Sequence, residues 1–250
     1  MRYNVLACLI GTIYCNEVSW LIIYGLQKLS LLDYPGKTAC TVFTGGCNFR
    51  CPYCHNASLV VGLNEVEPID EDEFFAFLNK RKNILDGVCI TGGEPLLQPD
   101  IEEFIRKIKE FGYSVKLDTN GSFPERLKPL VEKQLVDYIA MDIKNSPAKY
   151  HMTAGVSELD FSKINSSVEF LLSNTVDYEF RTTVVRQLHE KEDFASIGEW
   201  IKGAKRYFIQ SFIDSGDILG GTFSAYGKAE LEEIKDIMHT YVNETHIRGV

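Results

Sequence analysis

The stretch VCITGGEPLLQPDIEEFIRKIKEFGYSVKLDTNG, residues 88–121, predicts one complete strand–helix–strand unit. Residues 87–91 and 114–118 are two of the six strand candidates in the chain. These candidates are mostly continuous apolar runs, which are typical of parallel strands that are buried on both faces. Between these runs, four apolar residues follow the i, i+3, i+4, i+7 spacing of a helix with one apolar face. They are Ile101, Phe104, Ile105 and Ile108. Gly112 is well placed to end that helix.

The same alternation continues along most of the chain. Six strands are predicted, at residues 39–44, 87–91, 114–118, 138–143, 178–185 and 207–212. Further helices are predicted at residues 70–80, 159–172, 194–201 and 231–241. Repeated strand–helix units form either an open doubly wound sheet or a barrel. Because a complete eight-unit barrel takes about 250 residues, six units favour a partial (β/α)6 TIM-like barrel. The fold class is therefore α/β, in one domain.

Unusual polar residues stand where the predicted strands end. In both α/β folds, chemistry gathers at the carboxyl ends of the strands. The first four strands end in Thr44-Gly45-Gly46-Cys47, Thr91-Gly92-Gly93-Glu94-Pro95, Asp118-Thr119-Asn120-Gly121 and Met141-Asp142-Ile143-Lys144. The fifth strand contains Arg181 and the sixth contains Gln210. We expect these groups to meet at one mouth of the barrel.

Three of the seven cysteines lie within eight residues, as a C-x3-C-x2-C array of Cys47, Cys51 and Cys54. Chance predicts such an array only about 0.005 times in a chain of this composition. Clustered thiols in a chain of this size point to a metal in a reducing compartment. A structural zinc site is one reading, but it needs a fourth ligand. Three thiolates favour a four-iron cluster with one open iron.

Composition excludes several classes of protein. The chain has 250 residues, of which 45% are hydrophobic and 24% charged, so a disordered segment or a disulfide miniprotein is excluded. The formal net charge of −9 argues against a nucleic-acid partner, because nucleic-acid sites need a basic face.

The amino-terminal residues 1–22 need a separate interpretation. Residues 5–15 form an apolar run with the dimensions of a signal-peptide core. No small-residue cleavage site follows, and Asn16 and Glu17 interrupt the run before it could span a bilayer. We therefore expect a cytoplasmic protein without a membrane partner. Residues 1–22 would be an extension without an assigned role, and residues 23–250 would form the domain.

The cysteine array, with Tyr53 inside it and Gly92-Gly93-Glu94 after the next strand, resembles the radical S-adenosylmethionine (SAM) superfamily. Four further motifs narrow the resemblance to the activating enzymes of glycyl-radical enzymes. They are residues 33–37 (DYPGK), 53–56 (YCHN), 118–121 (DTNG) and 142–144 (DIK). Residues 24–33 (YGLQKLSLLD) look most like the activating proteins of anaerobic ribonucleoside-triphosphate reductases. The resemblance runs from about residue 23 to the last helix and implies a partial barrel of the radical SAM type.

This resemblance implies a mechanism. Cys47, Cys51 and Cys54 would hold three irons of one 4Fe-4S cluster, and the amino and carboxylate groups of SAM would chelate the fourth. An electron from a donor such as flavodoxin or ferredoxin would cleave the sulfonium bond and yield a 5′-deoxyadenosyl radical. That radical would take a hydrogen atom from a glycine of a partner, with anaerobic ribonucleotide reductase as the expected partner.

The resemblance also implies roles for individual residues. Gly92, Gly93 and Glu94 would contact the methionyl ammonium group of SAM. Asp118, Thr119 and Asp142, with the backbone carbonyl of Ala140, would form a site for a monovalent cation beside the SAM carboxylate.

The remaining site residues are implied in the same way. Lys144 would lie near the SAM carboxylate or ribose, and Tyr53 near the adenine. Gln210 stands where a related activase has a histidine. Asp33 and Lys144 are the expected catalytic residues, with Asp33 near the incoming glycine loop, although Asp33 could instead cap a turn. Arg181 could be a ligand contact or a structural ion pair.

Alternatives remain open at this point. The chain could be a radical SAM enzyme that acts on a small molecule. It could also be a cluster-bearing electron carrier or a zinc module without SAM chemistry. Cys40 and Cys89 fall inside predicted strands and are expected to be small buried hydrophobic residues.

Overall fold

A computed structural model describes residues 21–214 and 216–249 of the chain. Within these residues, one sheet of eight strands forms the centre of the fold. The strands are β1 (Ile23–Ser30), β2 (Ala39–Thr44), β3 (Gly87–Gly92), β4 (Ser114–Thr119), β5 (Tyr138–Asp142), β6 (Asp177–Val184), β7 (Arg206–Ser211) and β8 (Glu244–Arg248). The strands follow one another in the sheet in chain order.

The direction of the strands brings the carboxyl ends of the parallel strands to the same edge of the sheet. β1 runs antiparallel to β2, and every later neighbouring pair is parallel. In register, Thr44 lies opposite Gly92, and Asp142 opposite Arg181. β1 and β8 are the two edges of the sheet formed by the described residues, so the barrel is partial. The predicted α/β class and the partial barrel are confirmed.

Two strands were not predicted. β1 is an edge strand in which only the first and last residues are buried. In β8, Thr245 alone is buried among five residues. Strands that pack on one side carry no continuous apolar run, so a search for such runs passes over them. The parallel part of the sheet thus has seven strands, where six were expected.

Eight helices connect the strands within the described residues. They are α1 (Ala57–Val61), α2 (Glu71–Lys80), α3 (Ile101–Glu110), α4 (Pro124–Glu132), α5 (Tyr150–Ala154), α6 (Phe161–Leu172), α7 (Lys191–Trp200) and α8 (Lys228–His239). Two turns of 3-10 helix lie at Leu63–Glu65 and Pro95–Leu97. Asp70 caps α2 by accepting hydrogen bonds from the backbone N–H groups of Asp72 and Glu73 at 2.8 and 3.3 Å.

The core lies between the sheet and the helices. The four apolar residues that predicted α3 are all buried. Helices α1, α4 and α5 were not predicted, because the two short ones are shorter than two turns and α4 contains Pro129. In the ranges 21–214 and 216–249, we find no helix with the length and apolar character to cross a membrane.

The proposed extension lies almost entirely outside the described residues, which begin at Leu21. Cys8 and Cys15 lie outside them as well. The division into an extension of residues 1–22 and a domain of residues 23–250 stays a prediction.

Candidate active site

A cavity of about 400 Å³ opens at the carboxyl ends of the strands. Most of the site residues expected from the sequence line it, and these are Asp33, Cys47, Cys51, Tyr53, Cys54, Gly92, Gly93, Asp118, Thr119, Asp142, Lys144, Arg181 and Gln210. The exceptions are Glu94 and Ala140, which do not line the cavity. The volume is in the range of ordinary small-ligand sites.

The cysteine loop, residues 45–56, is held against three other segments. The Gly46 N–H donates to the Leu59 carbonyl of α1 at 2.8 Å, and the Arg50 N–H donates to the Ala154 carbonyl of α5 at 2.9 Å. The Gly220 N–H donates to the Pro52 carbonyl at 3.1 Å. Backbone hydrogen bonds to these three segments fix the path of the loop, and therefore the positions of its cysteines.

The thiols of this loop are buried to different degrees. Cys51 is buried, whereas Cys47 and Cys54 are partly exposed to the cavity. Burial raises the pKa of Cys47 to about 12 and that of Cys51 to about 11. Thiolates at these positions therefore need a compensating positive charge, which iron would supply.

A four-iron cluster fits this donor set better than a single metal ion does. In residues 21–214 and 216–249, no three His, Cys, Asp or Glu side chains are grouped to hold one ion. In a four-iron cluster each thiolate binds a different iron, so the sulfur atoms need not meet at one point. Three soft ligands around an open cavity suit such a cluster.

The glycine loop, residues 91–94, packs directly on the cysteine loop. The Gly93 N–H donates to the Thr44 carbonyl at 2.9 Å, and the Glu94 N–H donates to the Gly46 carbonyl at 2.8 Å. A Cβ atom on Gly93 would lie 1.9 Å from the Gly46 carbonyl oxygen. Gly92 has a φ of +113°, and a Cβ there would lie 2.3 Å from the Thr44 carbonyl oxygen. The glycines are therefore needed for loop-to-loop packing, besides any approach of a ligand.

Glu94 is fully buried, and its carboxylate serves the loops rather than the cavity. One oxygen accepts hydrogen bonds from the Leu96 N–H at 3.0 Å and the Thr119 hydroxyl at 2.8 Å. The other accepts from the Asn120 N–H at 2.7 Å. The carboxylate thus ties the ends of β3 and β4 together, and the contact expected between Glu94 and the ammonium group of SAM stays a prediction. Burial raises the pKa of Glu94 to about 7, although these hydrogen bonds oppose the shift.

The Glu94→Gln variant is expected to lack the pH-dependent contribution that Glu94 makes to the stability of the wild type, because an amide does not titrate. Since the folded-state pKa of about 7 exceeds the ordinary value of 4.5, the folded state holds the proton more tightly. This contribution is fully present below pH 4.5 and is lost as the pH rises through 7.

Urea unfolding of both proteins between pH 4.5 and 8 measures this effect. As the pH rises from 4.5 to 7, the free energy of unfolding of the wild type should fall relative to that of Glu94→Gln by up to about 1.4 kcal/mol per pH unit. Glu110 is exposed on α3, so Glu110→Gln is the matched control and should show no such trend. A difference in stability between the wild type and Glu94→Gln that is independent of pH would contradict the raised pKa of Glu94.

Five charged side chains from β4, β5, β6 and the segment that follows β5 form what we call the charge network. Its members are Lys116, Asp118, Asp142, Lys144 and Arg181. Arg181 contacts both carboxylates: Nη1 lies 2.9 Å from Asp118 Oδ2, and Nε contacts Asp142 Oδ1. Lys144 Nζ lies 2.8 Å from Asp142 Oδ2, and Lys116 Nζ contacts Asp118 Oδ1.

These contacts keep all five groups charged. Burial by itself would raise the pKa of both carboxyls, but Arg181 and the lysines outweigh it and lower the pKa of Asp118 and Asp142. For Lys144 and Arg181 burial acts in the opposite direction, and the carboxylates raise the pKa of both.

Three other expected residues occupy separate parts of the cavity wall. Asp33 does not cap a turn with its side chain, and Oδ2 accepts a hydrogen bond from the Thr41 hydroxyl at 2.6 Å. The Tyr53 ring is buried edge-on to Phe223, with centroids 6.5 Å apart. Gln210 lines the cavity from β7.

Two asparagines that line the cavity were not assigned as site residues. Asn56 Nδ2 donates to the Gly92 carbonyl at 2.9 Å. Asn120 Nδ2 donates to Asn48 Oδ1 at 2.9 Å and lies 3.9 Å from Cys47 Sγ. The signals available in the sequence were the position of Asn120 at the end of a strand and that of Asn56 two residues after Cys54. Cys40 and Cys89 are fully buried, as predicted, although Cys89 also lines the cavity.

Comparison with known proteins agrees with this site. The sequence profile of the Radical SAM superfamily matches residues 41–201. A Methanocaldococcus jannaschii protein, provisionally named a glycyl-radical enzyme activating enzyme, is 34% identical over 240 residues, which cover 92% of this chain and 96% of that protein. The pyruvate formate-lyase 1-activating enzyme of Escherichia coli is 29% identical over 191 residues, or 72% of this chain and 74% of that enzyme. A 7-carboxy-7-deazaguanine synthase of Thermoplasma acidophilum is 27% identical over 174 residues, or 69% and 79%.

Solved structures show the same fold. SuiB of Streptococcus suis matches with a TM-score of 0.64 at 14% identity, over 82% of this chain and 47% of that chain. A domain of pyruvate-formate lyase-activating enzyme from Bacteroides vulgatus matches with a TM-score of 0.53 at 14% identity, over 65% and 99%. From the superfamily match and the long alignments, the chain belongs to the radical SAM superfamily and, within it, to the glycyl-radical enzyme activating enzymes.

Proposed function

We propose that this enzyme removes a hydrogen atom from a backbone glycine of a separate glycyl-radical enzyme. One observation carries the proposal. The cysteine loop, the glycine loop and four of the five side chains of the charge network, all but Lys116, face one cavity at the open end of a partial barrel. A radical formed there would be enclosed by the protein and still accessible to a loop that enters from outside.

Family membership implies a 4Fe-4S cluster and SAM as cofactors, and it disfavours the zinc module. Once bound and reduced, they supply a 5′-deoxyadenosyl radical. The role of the chain is then to position these cofactors and to exclude side reactions. Cys47, Cys51 and Cys54 would hold the cluster, and the glycine loop would place backbone groups beside it. The charge network would receive the anionic end of SAM, because it carries an excess of positive charge.

The position of Asp33 supports the proposal that a polypeptide loop enters the cavity. Its carboxylate lines the cavity and, within the described residues, accepts one side-chain hydrogen bond, from Thr41. The remaining lone pairs could accept hydrogen bonds from backbone N–H groups of an entering loop, which lose water on entry. A glycine in that loop could approach closely because it has no side chain.

Anaerobic ribonucleotide reductase is the partner that we propose first, since residues 24–33 resemble the activating proteins of such reductases. A flavodoxin or a ferredoxin is the proposed electron donor. A cytoplasmic location follows from these partners and from the clustered thiols.

The test mixes reduced, cluster-loaded enzyme, SAM and the candidate reductase without oxygen, followed by electron paramagnetic resonance. A glycyl-radical doublet should appear on the reductase, and methionine and 5′-deoxyadenosine should form in parallel. The doublet should disappear when the target glycine of the reductase is replaced by alanine.

A second candidate is a radical SAM enzyme with a small-molecule substrate, favoured by the likeness to 7-carboxy-7-deazaguanine synthases. The same experiment separates the two candidates. If SAM is cleaved but no glycyl-radical enzyme of the same organism gains a radical, the small-molecule function replaces the activase function.

A further inference from the structure

The Arg181 guanidinium lies between the two carboxylates that were expected to bind a cation. Asp118 and Asp142 come from the neighbouring strands β4 and β5, and Arg181 comes from β6, in register with Asp142. Its Nη1 and Nε atoms contact one oxygen of each carboxylate, at 2.9 Å for Asp118. One planar group thus connects both carboxylates.

The other two carboxylate oxygens have cationic partners as well. Asp118 Oδ1 contacts Lys116 Nζ, and Asp142 Oδ2 lies 2.8 Å from Lys144 Nζ. Each of the four oxygens therefore meets one positively charged nitrogen. The third expected ligand is also engaged, because the Thr119 hydroxyl donates to Glu94 at 2.8 Å and accepts from the Gly121 N–H at 3.1 Å.

The charges lead to the same conclusion. The network contains two negative and three positive side chains, so its net charge is +1 before any ligand binds. Lys116 and Asp118 are buried, so water screens these charges poorly and a further cation would be repelled. A hard metal cation needs several free oxygen ligands, whereas each carboxylate oxygen of the network already contacts a cationic nitrogen.

We propose that Arg181 takes the place of a bound metal cation in this enzyme. Its guanidinium bridges Asp118 and Asp142 at the cavity wall, and the net positive charge of the network receives one anionic group of the ligand directly. Arg181 is thus a positioning residue, and SAM binds without an alkali or alkaline-earth ion. The inference concerns the cofactor site, so it stands or falls independently of the partner protein proposed above.

The first test measures the affinity of the cluster-loaded wild-type enzyme for SAM by isothermal titration calorimetry. The buffers contain tetramethylammonium, sodium or potassium chloride at the same ionic strength, after treatment with a chelating resin. The dissociation constants should agree within about twofold, because no ion is part of the site. An affinity that falls tenfold or more in the tetramethylammonium buffer would overturn the proposal.

The second test uses Arg181→Met, which keeps the length of the side chain but removes its charge. In the tetramethylammonium buffer this variant should bind SAM at least tenfold more weakly than the wild type. Sodium or potassium should restore part of the affinity and raise the melting temperature, because an ion can now bridge the two carboxylates. The same lack of response to the ions as in the wild type would contradict the proposal.

Arg186→Met is the matched control, because Arg186 forms a solvent-exposed ion pair with Glu230. It should bind SAM like the wild type in all three buffers. If Arg181→Met does not fold, Arg181→Lys provides the second variant. Its single ammonium cannot contact both carboxylates as the guanidinium does, so a smaller but ion-sensitive loss of affinity is expected, and a loss that ions do not affect would count against the proposal.

Discussion

Cys51→Ala protein is expected to hold no intact four-iron cluster after anaerobic reconstitution and to cleave no SAM. Cys51 is buried on the cysteine loop, where it lines the cavity together with Cys47 and Cys54. Removing one of three thiolates leaves an iron without its protein ligand. The wild type should hold about four irons per chain, and iron analysis of Cys51→Ala should find clearly fewer. Chromatography should detect no 5′-deoxyadenosine above background.

Cys40→Ala is the matched control for this experiment. Cys40 is fully buried in β2 and does not line the cavity. Its replacement should lower the free energy of unfolding by about 1 kcal/mol through lost packing, and it should leave iron content and SAM cleavage unchanged. Cys47→Ala and Cys54→Ala should behave like Cys51→Ala. Full iron loading together with normal SAM cleavage in Cys51→Ala would refute the assignment of the cluster ligands.

Gly93→Ala is expected to be nearly as damaging, although it adds a single methyl group. The new Cβ would lie 1.9 Å from the Gly46 carbonyl oxygen, so the glycine loop and the cysteine loop must separate. Separation breaks the hydrogen bond from the Glu94 N–H to Gly46 and displaces Cys47, the next residue. We expect a loss of about 3 kcal/mol in stability. SAM cleavage should fall to background, because the cysteines are no longer held in place.

Thermal unfolding and reconstituted iron content would measure both effects of Gly93→Ala. Gly220→Ala is the matched control, since a Cβ on Gly220 meets nothing within 4 Å. This control should retain the melting temperature, the iron content and the SAM cleavage of the wild type. A Gly93→Ala protein with normal iron content and SAM cleavage would show that the two loops do not depend on their close contact.

Much of the fold could be predicted because its signals are local. The mostly buried strands β2, β3 and β5 are short runs that are largely apolar, and α3 shows its buried face in the spacing of four residues. β1 and β8 could not be recognised in this way, because an edge strand packs on one side and exposes much of its surface. The sheet is therefore longer than the pattern indicated.

The location of the site was predictable for a similar reason. Parallel strands bring their carboxyl ends to one edge, so residues that follow different strands are expected to meet there. The cavity lining agrees with that expectation for the three cysteines, which follow β2, and for Asn120 and Lys144, which follow β4 and β5. What each side chain contacts was not predictable. Glu94 follows β3 like its neighbours Gly92 and Gly93, but its side chain points into the interior and bonds to β4.

The sequence by itself determined the class of fold, the edge where the site lies and the cysteines that could hold a cluster. These follow from spacing along the chain and from the direction of parallel strands, both of which can be read without knowing distances. Only the tertiary structure decided that Gly93 faces a carbonyl of the cysteine loop and that Arg181 pairs with Asp118, 63 positions away in sequence. Such pairings depend on strand register and side-chain direction, because charges and packing atoms act over a few ångströms in space.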